Sequence, residues 1–365
     1  MKITQFRYGK LRVPLKTAFK TALRSIDYIE DIIVMIDTDT GHTGYGGAPA
    51  TAVITGDTHG SILAAIQQHI APRLIGVDIA DLNHNTHLIQ TALERNTSAK
   101  AAVEIALYDL FGQLYNSPIY KILGGGDPVI TTDITISVDY IDKMVNDAVS
   151  AVERGFESLK IKVGKDINVD IDRVKAIHNA VQGRALLRLD ANQGWTAKQA
   201  VRALQTLEQA GVDLELVEQP VKANDIEGMK YVSERVITPV MADESVFSPL
   251  EVIHLIQQRA ADIINIKLMK TGGISNAIRI ADICALYDVE CMIGCMLESS
   301  VSVAAAVHVA VAKSNVITKI DLDGPSLGLI NPVTGGVNFN ESEISISDAP
   351  GLGITHIENL ELLNL

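Results

Sequence analysis

Basic residues are in short supply: 31 Lys and Arg stand against 44 Asp and Glu, a formal charge of −13. That surplus repels a polyanionic backbone, so no nucleic-acid partner is expected. Cysteine is scarce as well. Cys284, Cys291 and Cys295 form neither an even set nor a CxxC pair, and a reduced, cytoplasmic protein is expected. Long apolar runs are missing. The longest nearly uncharged stretch, 299–312, is too short to span a bilayer and contains His308; it reads as a buried helix, and no membrane partner is expected. Residues 1–10 alternate polar and apolar side chains without an apolar h-region, so no secretory signal is expected. No Lys-Ser or Lys-Thr follows the glycines at 124–126, which read as a chain turn rather than a phosphate loop.

Apolar residues are plentiful, at 47% of 365, which excludes a disordered chain. The length suits about two domains, or one large barrel with an appendage. Residues 2–9 and 27–38 read as strands and the glycine cluster at 41–47 as a turn. Helical patterns follow at 57–72, 80–92 and 97–115, the last with Ser98 near its start and an apolar stripe of Val103, Leu107 and Leu110. From 128 onward the texture becomes a repeat of short β-branched runs, at 130–138, 159–164, 185–190, 212–218, 237–243, 262–268, 289–296 and 315–322, each followed by a helical stretch or the tail. The repeat of about 25–30 residues is one strand, one helix and two short loops. A closed parallel barrel is expected over an open doubly wound sheet, because no GxGxxG follows the first of these strands. The tail carries the strand-like 336–347 and is expected to return to the N-terminal unit. The architecture expected is therefore α/β: a (β/α)7β TIM-like barrel over 126–322, with an α+β capping domain built from 1–125 and the C-terminal segment 323–365.

Strand residues alternate between lumen and outer helices. With Leu159, Ile161 and Val163 outward, Lys160 and Lys162 face inward. The same parity places Arg188 and Asp190, Asn265 and Lys267, and Lys319, Asp321 and Asp323 inside. Three acids end three consecutive strands, Asp190, Glu218 and Asp243, at spacings of 28 and 25 residues. Carboxylates so crowded repel one another unless they share a cation, and three hard oxygen ligands without His or Cys suit Mg²⁺. Lys162 and Lys267 flank the acids on either side. Two amines on opposite faces of a metal-bound carboxylate substrate can remove an α-proton from one face and return it on the other, through an enediolate stabilised by the Lewis acid. The charge of Lys160 would help by disfavouring the ammonium of Lys162.

The KxK of LKIKVG at 159–164, Asp190, Glu218, Asp243 and the first lysine of NIKLMKTGG at 265–273 resemble the muconate-lactonizing subgroup of the enolase superfamily. The segment AAVEIALYDLFGQLYNSPIYKILGGG at 101–126 is similar to that family's link between capping domain and barrel, so the resemblance covers essentially the whole chain. It implies Mg²⁺ ligation by Asp190, Glu218 and Asp243, acid/base catalysis by Lys162 and Lys267, stabilisation of the intermediate's carboxylate by Lys160, and a homo-oligomer. KIDLDGP at 319–325 resembles the DxD signature of dipeptide epimerases, which implies that Asp321 and Asp323 hold a substrate α-ammonium; two inward acids can accept its hydrogen bonds. In the 15–25 segment, Arg24 stands where alanyl-glutamate epimerases of this family place an arginine that grips a side-chain carboxylate. Phe19 of the same segment closes over the substrate or packs within the capping unit. Thr135 and Glu298 are further pocket candidates, and Cys295 lies near the mouth. Gly47 stands where many members of the subgroup outside the dipeptide epimerases carry a glutamate.

The function expected is that of an isomerase: a Mg²⁺-dependent epimerase inverting the α-carbon of the C-terminal residue in L-Ala-Xaa dipeptides, with L-Ala-D/L-Glu the leading pair. One alternative is an o-succinylbenzoate synthase or muconate cycloisomerase of the same superfamily, since fold and motif do not select the substrate. A second is a non-catalytic peptide-binding barrel.

Overall fold

The computed structural model describes residues 1–21 and 25–364. The chain begins with three antiparallel strands, β1 (Ile3–Lys20), β2 (Ser25–Thr38) and β3 (Thr43–Pro49). The register of β1 on β2 breaks between Pro14 and Phe19, and beyond the break Phe19 pairs with Ile26. This distal arm rests on the barrel, where the Val138 amide donates to the Lys20 carbonyl (3.2 Å). Helices follow: α1 (His59–Ala65), which runs through a π-helical turn (Ile66–Ile70) into α2 (Ala71–Leu74), then α3 (Leu82–Gln90) and α4 (Thr97–Leu114). The expected apolar stripe of α4 is part of a helix buried on nearly every side.

The glycine cluster departs from expectation. Gly41 makes a turn with a positive φ, but Thr43–Pro49 is a strand. A Cβ on Gly46 would lie 1.9 Å from the Ala102 carbonyl oxygen, and one on Gly44 2.3 Å from that of Ala106. These glycines let β3 press directly on the α4 backbone, the close-approach use of glycine in a strand.

After α5 (Ile119–Ile122), the stretch expected as one strand at 130–138 is broken into β4 (Val129–Thr131) and β5 (Ile134–Ile136). Only β5 enters the barrel. From there strand and helix alternate: α6 (Ile141–Glu153), β6 (Ser158–Lys162), α7 (Ile167–Val181), β7 (Leu186–Asp190), α8 (Ala197–Gln209), β8 (Leu214–Glu218), α9 (Ile226–Ser233), β9 (Val240–Ala242) and α10 (Pro249–Gln258). Then come β10 (Ile263–Ile266), the single turn α11 (Leu268–Thr271), α12 (Ile274–Leu286), β11 (Glu290–Gly294), α13 (Ser300–Ala312), β12 (Ile317–Asp321) and the short α14 (Gly324–Leu327). Side chains of Asp166, Thr196, Asp225 and Ser248 cap α7, α8, α9 and α10, satisfying amides that the first helical turn leaves free. The 299–312 stretch is the buried α13. Among the described residues no helix is long and apolar enough to cross a membrane.

The eight parallel strands run in the order β12-β11-β10-β9-β8-β7-β6-β5. The register sets Lys160 beside Arg188, Lys162 beside Asp190, and Asp190 beside Glu218. The seam between β5 and β12 is closed differently. Its bonds run from the Asp133 amide to the Ile320 carbonyl (3.3 Å), from the Leu322 amide to Thr132 Oγ1 (2.8 Å) and from the Thr135 amide to Asp323 Oδ2 (2.7 Å). The barrel interior is also divided. Leu216, Met241, Ile263 and Met292 form a separate apolar cluster from β8 to β11. The opposite half is polar, with Arg188, Asp133, Lys160 and Asp321 joined by ion pairs.

The tail adds β13 (Val333–Gly335), β14 (Val337–Asn340), β15 (Glu343–Ile346), β16 (Ile354–Ile357) and β17 (Glu361–Leu363). β17 pairs with β1, Tyr8 opposite Leu363, so the C-terminus completes the N-terminal sheet as expected. β15 pairs with β4. This is a TIM-like barrel with an antiparallel α+β capping domain.

Candidate active site

The barrel's polar face is assembled at the C-terminal strand ends, where successive backbones deliver one inward side chain each. Asp190 and Glu218 are the last residues of β7 and β8, and Asp243 follows β9 directly. All three are buried. Lys162 ends β6 and lies 2.5 Å from Asp190 Oδ2. Lys267 follows β10 and lies 2.7 Å from Asp243 Oδ2 and 3.5 Å from Glu218 Oε1. Lys160 sits among Asp190 (3.2 Å), Glu218 (2.7 Å) and Asp321 (2.7 Å). β6 and β10 are four places apart in an eight-stranded barrel, so the two flanking lysines approach from opposite walls with the three acids on the strands between them.

Electrostatics follow from burial and crowding. Burial opposes the ammonium of Lys160, yet Asp321, Glu218 and Asp190 together hold its pKa well above the ordinary lysine value. Lys267 is raised in the same way by Asp243 and Glu218, against burial. Burial likewise opposes ionisation of Asp321, but Lys160, Lys267 and Lys162 bring it down to about 2. Asp323 behaves oppositely: burial and the neighbouring Asp321 push it up to about 6. Asp321 is therefore held in its ionised form more firmly than its neighbour Asp323.

Asp190, Glu218 and Asp243 are hard oxygen donors, the chemistry that suits Mg²⁺. Among the described residues no three His, Cys, Asp or Glu side chains stand together as a metal cluster; Lys160 and Lys267 bridge the acids instead. The neighbouring Glu244 carboxyl is pushed up to about 8 by burial and by Asp243, Asp190 and Glu218. The buried oxygens Glu244 Oε2 and Asn192 Oδ1 have no hydrogen-bond partner. Three hard-oxygen donors on adjacent strand ends, with unpartnered buried oxygens beside them, fit a divalent cation.

Other expected site residues fall in different places. Phe19, Thr135, Asp321, Asp323 and Cys295 line one chamber with Lys160, Lys162 and Lys267. Phe19 lies over the Lys162 ammonium, 5.8 Å from ring centroid to Nζ. Burial pushes the Cys295 thiol well above its usual range, which suits packing rather than nucleophilic work. Glu298 is not among the residues lining this chamber: its carboxylate accepts from the Met296 amide (2.7 Å) and from Ser302 Oγ. Arg24 lies outside the described residues. Lys319 is turned to the other end of β12, 2.6 Å from Glu290, and pairs with neither Asp321 nor Asp323.

Sequence reasoning missed Lys270. It is fully buried, and its Nζ reaches Asp243 Oδ1 (2.5 Å), the Asp243 carbonyl (2.5 Å) and the Asn265 carbonyl (3.0 Å). It therefore fastens Asp243 to the strand that precedes Lys267. Three residues past Lys267 on a helical turn, it has the signature of an exposed cation. Asn265, which donates to Glu218 Oε1 (2.8 Å), was visible only as an inward residue.

The geometry and the chain's relatives agree on the class. Residues 3–124 match the family model of the mandelate racemase / muconate lactonizing enzyme N-terminal domain, and residues 143–359 match the enolase C-terminal domain-like family. The chain belongs to the mandelate racemase and muconate lactonizing enzyme family of the enolase superfamily. Within that family it is 52% identical over 351 residues to the L-Ala-D/L-Glu epimerase of Clostridium acetobutylicum, covering 96% of this chain and 98% of that protein. The substrate-liganded L-Ala-D/L-Glu epimerase of Bacillus subtilis superposes with a TM-score of 0.96 at 46% identity, over 98% of this chain and 99% of that one. The dipeptide epimerase of Enterococcus faecalis, solved with Mg and L-Leu-L-Tyr, gives 0.94 at 43% identity, over 98% and 100%.

Proposed function

We propose that this chain is a Mg²⁺-dependent dipeptide epimerase, inverting the α-carbon of the C-terminal residue of L-Ala-Xaa dipeptides, with L-Ala-D/L-Glu the leading pair. One observation supports it above the others: Lys162 and Lys267 line a single chamber from strands four places apart, with three carboxylates on the strands between. The epimerases among its relatives support the substrate class. Asp190, Glu218 and Asp243 are the residues that would hold Mg²⁺, which supplies Lewis-acid stabilisation of charge building on the substrate carboxylate. Lys160 faces that carboxylate. One of Lys162 and Lys267 takes the α-proton, the C–H electron pair moves into the carboxylate to give an enediolate, and the other lysine protonates the opposite face. Asp321 and Asp323 anchor the N-terminal ammonium. The proposal extends to capping segments 1–125 and 323–365 around a barrel at 126–322, supported by the β17–β1 pairing, and to a cytoplasmic homo-oligomer.

The test is L-Ala-L-Glu in D₂O, followed by proton NMR and polarimetry, with Mg²⁺ and after chelation. Loss of the α-proton signal together with inversion is expected, and both should stop on chelation. Lys162→Ala should abolish epimerisation; turnover retained in that variant removes the two-base scheme. Activity unaffected by Asp321→Asn and Asp323→Asn would favour a substrate without an ammonium, as in a cycloisomerase or o-succinylbenzoate synthase.

A further inference from the structure

The chamber is small, with a volume of about 50 Å³. Next to it lies a groove of about 300 Å³, bounded by the arm at Lys16–Lys20, the strand β5 and the exposed side of α6. Phe19, Thr135 and Leu327 belong to both walls, so the groove adjoins the chamber at the β5–β12 seam. The seam is where the Asp323 carboxylate, rather than a backbone ladder, binds the Thr135 amide (2.7 Å). In the epimerase reading above, on which this inference rests, the substrate's N-terminal ammonium is held by Asp321 and Asp323. Its first Cα is then one peptide unit, about 3.8 Å, from the reacting carbon. Asp323 touches Thr135, which lines both cavities, so an ammonium held by Asp323 would stand beside the mouth of the groove.

We propose that this groove receives the side chain of the substrate's N-terminal residue, and that it favours an elongated chain ending in a carboxylate or amide over one ending in an amine. The groove floor is apolar, with Ile134, Ile136 and Leu327, and suits methylenes. Its rim bears four cations, Lys16, Lys20, Lys143 and Arg154, against two acids, Asp139 and Asp147. Lys20 is paired with Asp139 (2.8 Å), Lys143 with Asp147 (2.7 Å) and Arg154 with Glu341. Lys16 is held by the Ser326 carbonyl (2.9 Å) and by no carboxylate among the described residues, so it is the cation available to an anionic tip. A second neighbouring cavity, of about 240 Å³, shares Leu297 with the chamber and is lined by Asp27, Glu30 and His59. Its carboxylates would select the opposite charge.

The experiment is kcat/KM for L-Ala-L-Glu, L-Glu-L-Glu, L-Gln-L-Glu and L-Lys-L-Glu, with wild type, Ser150→Trp and Lys16→Glu. Ser150 is an exposed position of α6 on the groove wall, where a tryptophan fills the space. Wild type should prefer Glu and Gln over Lys at the first position. Ser150→Trp should lower the ratio of L-Glu-L-Glu to L-Ala-L-Glu at least about tenfold, the scale on which a side-chain pocket discriminates. Lys16→Glu should invert the Glu/Lys preference. If L-Ala-L-Glu is turned over but these ratios move in neither variant, or wild type prefers Lys, the groove assignment falls; a preference for Lys would point to the acidic cavity instead. If L-Ala-L-Glu itself is not epimerised, it is the epimerase reading that has failed.

Discussion

Arg188 offers a sharp test of how the polar half of the barrel is held together. Its side chain is 7% exposed, and its guanidinium reaches Asp133 Oδ2 (2.8 Å), the Ile320 carbonyl (3.0 Å) and Glu215 Oε2 (2.5 Å). It thus ties β7 to β8 and, across the lumen, to both sides of the β5–β12 seam. Asp133 is fully buried, its Oδ1 lacks a partner, and burial with the charge of Asp321 pushes its carboxyl well above the usual range despite Arg188. Arg188→Met strands that carboxyl, and breaking such a buried pair costs about 3–5 kcal/mol. With unfolding entropy near 2.1 cal/mol/K per residue, 365 residues give about 0.77 kcal/mol/K, so Tm should fall by about 4–7 °C. Because burial already raises the Asp133 pKa and losing Arg188 raises it further, the penalty should be largest at high pH and shrink as pH falls. Adding Asp133→Leu should recover most of the loss, since a buried pair replaced by apolar groups is close to neutral, while Glu215 keeps access to water. Calorimetry of the two variants decides it. An unchanged Tm in Arg188→Met, or a double variant no better than the single one, would refute the account.

Two other buried charges make independent predictions. Lys270→Met should weaken Mg²⁺ binding, read by calorimetric titration, by about 10–100-fold, because Asp243 loses the ammonium that positions it; Lys270→Arg should recover part of that affinity. An affinity unchanged in Lys270→Met would make the lysine a packing element only. Asp31, buried in β2, is pushed up to about 6 by burial even though it accepts from the Ser299 amide (2.8 Å). A carboxyl whose folded pKa lies above its ordinary value gives stability that is present in acid and lost as pH rises through the folded pKa. Asp31→Asn should therefore gain on wild type by about 2 kcal/mol between pH 4 and pH 7, less what the altered Ser299 bond costs. Parallel Tm-versus-pH curves would contradict that.

Much of this was legible because a strand has a period of two. Lys160 and Lys162, or Asn265 and Lys267, can share the lumen only if the residues between them face the helices, and the acids at 190, 218 and 243 then fall at strand ends. The return of the tail was legible, but not its path: the alternating stretch at 336–347 forms β14 and β15, which pair with each other and with β4, and it is β17 that reaches β1. Glycine was not. The same residue serves a turn at Gly41 and a close backbone approach at Gly44 and Gly46, and only the position of α4 distinguishes them. The break within 130–138 also depends on partners distant in sequence, since Asp133 turns in to Arg188 and Thr132 caps the Leu322 amide. Lys270 could not be read because its side chain folds back onto the strand end before it, a path that spacing does not encode.

The capping domain is fastened to the barrel by buried acids at helix starts. Glu104 of α4 accepts from the Ser275 amide (2.6 Å) in the first turn of α12, and Asp31 of β2 accepts from the Ser299 amide at the start of α13. Helix N-termini present free amides and a positive dipole end, so a carboxylate docks there by direction as well as charge. These two helices are not arbitrary. α12 follows the segment that carries Lys267 and Lys270, and α13 follows Met296 and Leu297 on the chamber wall. The same domain supplies Phe19, Thr21, Val53 and Ile54 to that wall. Residues that shape the substrate's surroundings are thus registered, through two charge-assisted bonds, against the elements that hold one of the two lysines. A catalytic carbon placed between opposed amines needs that registry, because a displacement of about 1 Å at the wall is enough to spoil the approach of either base.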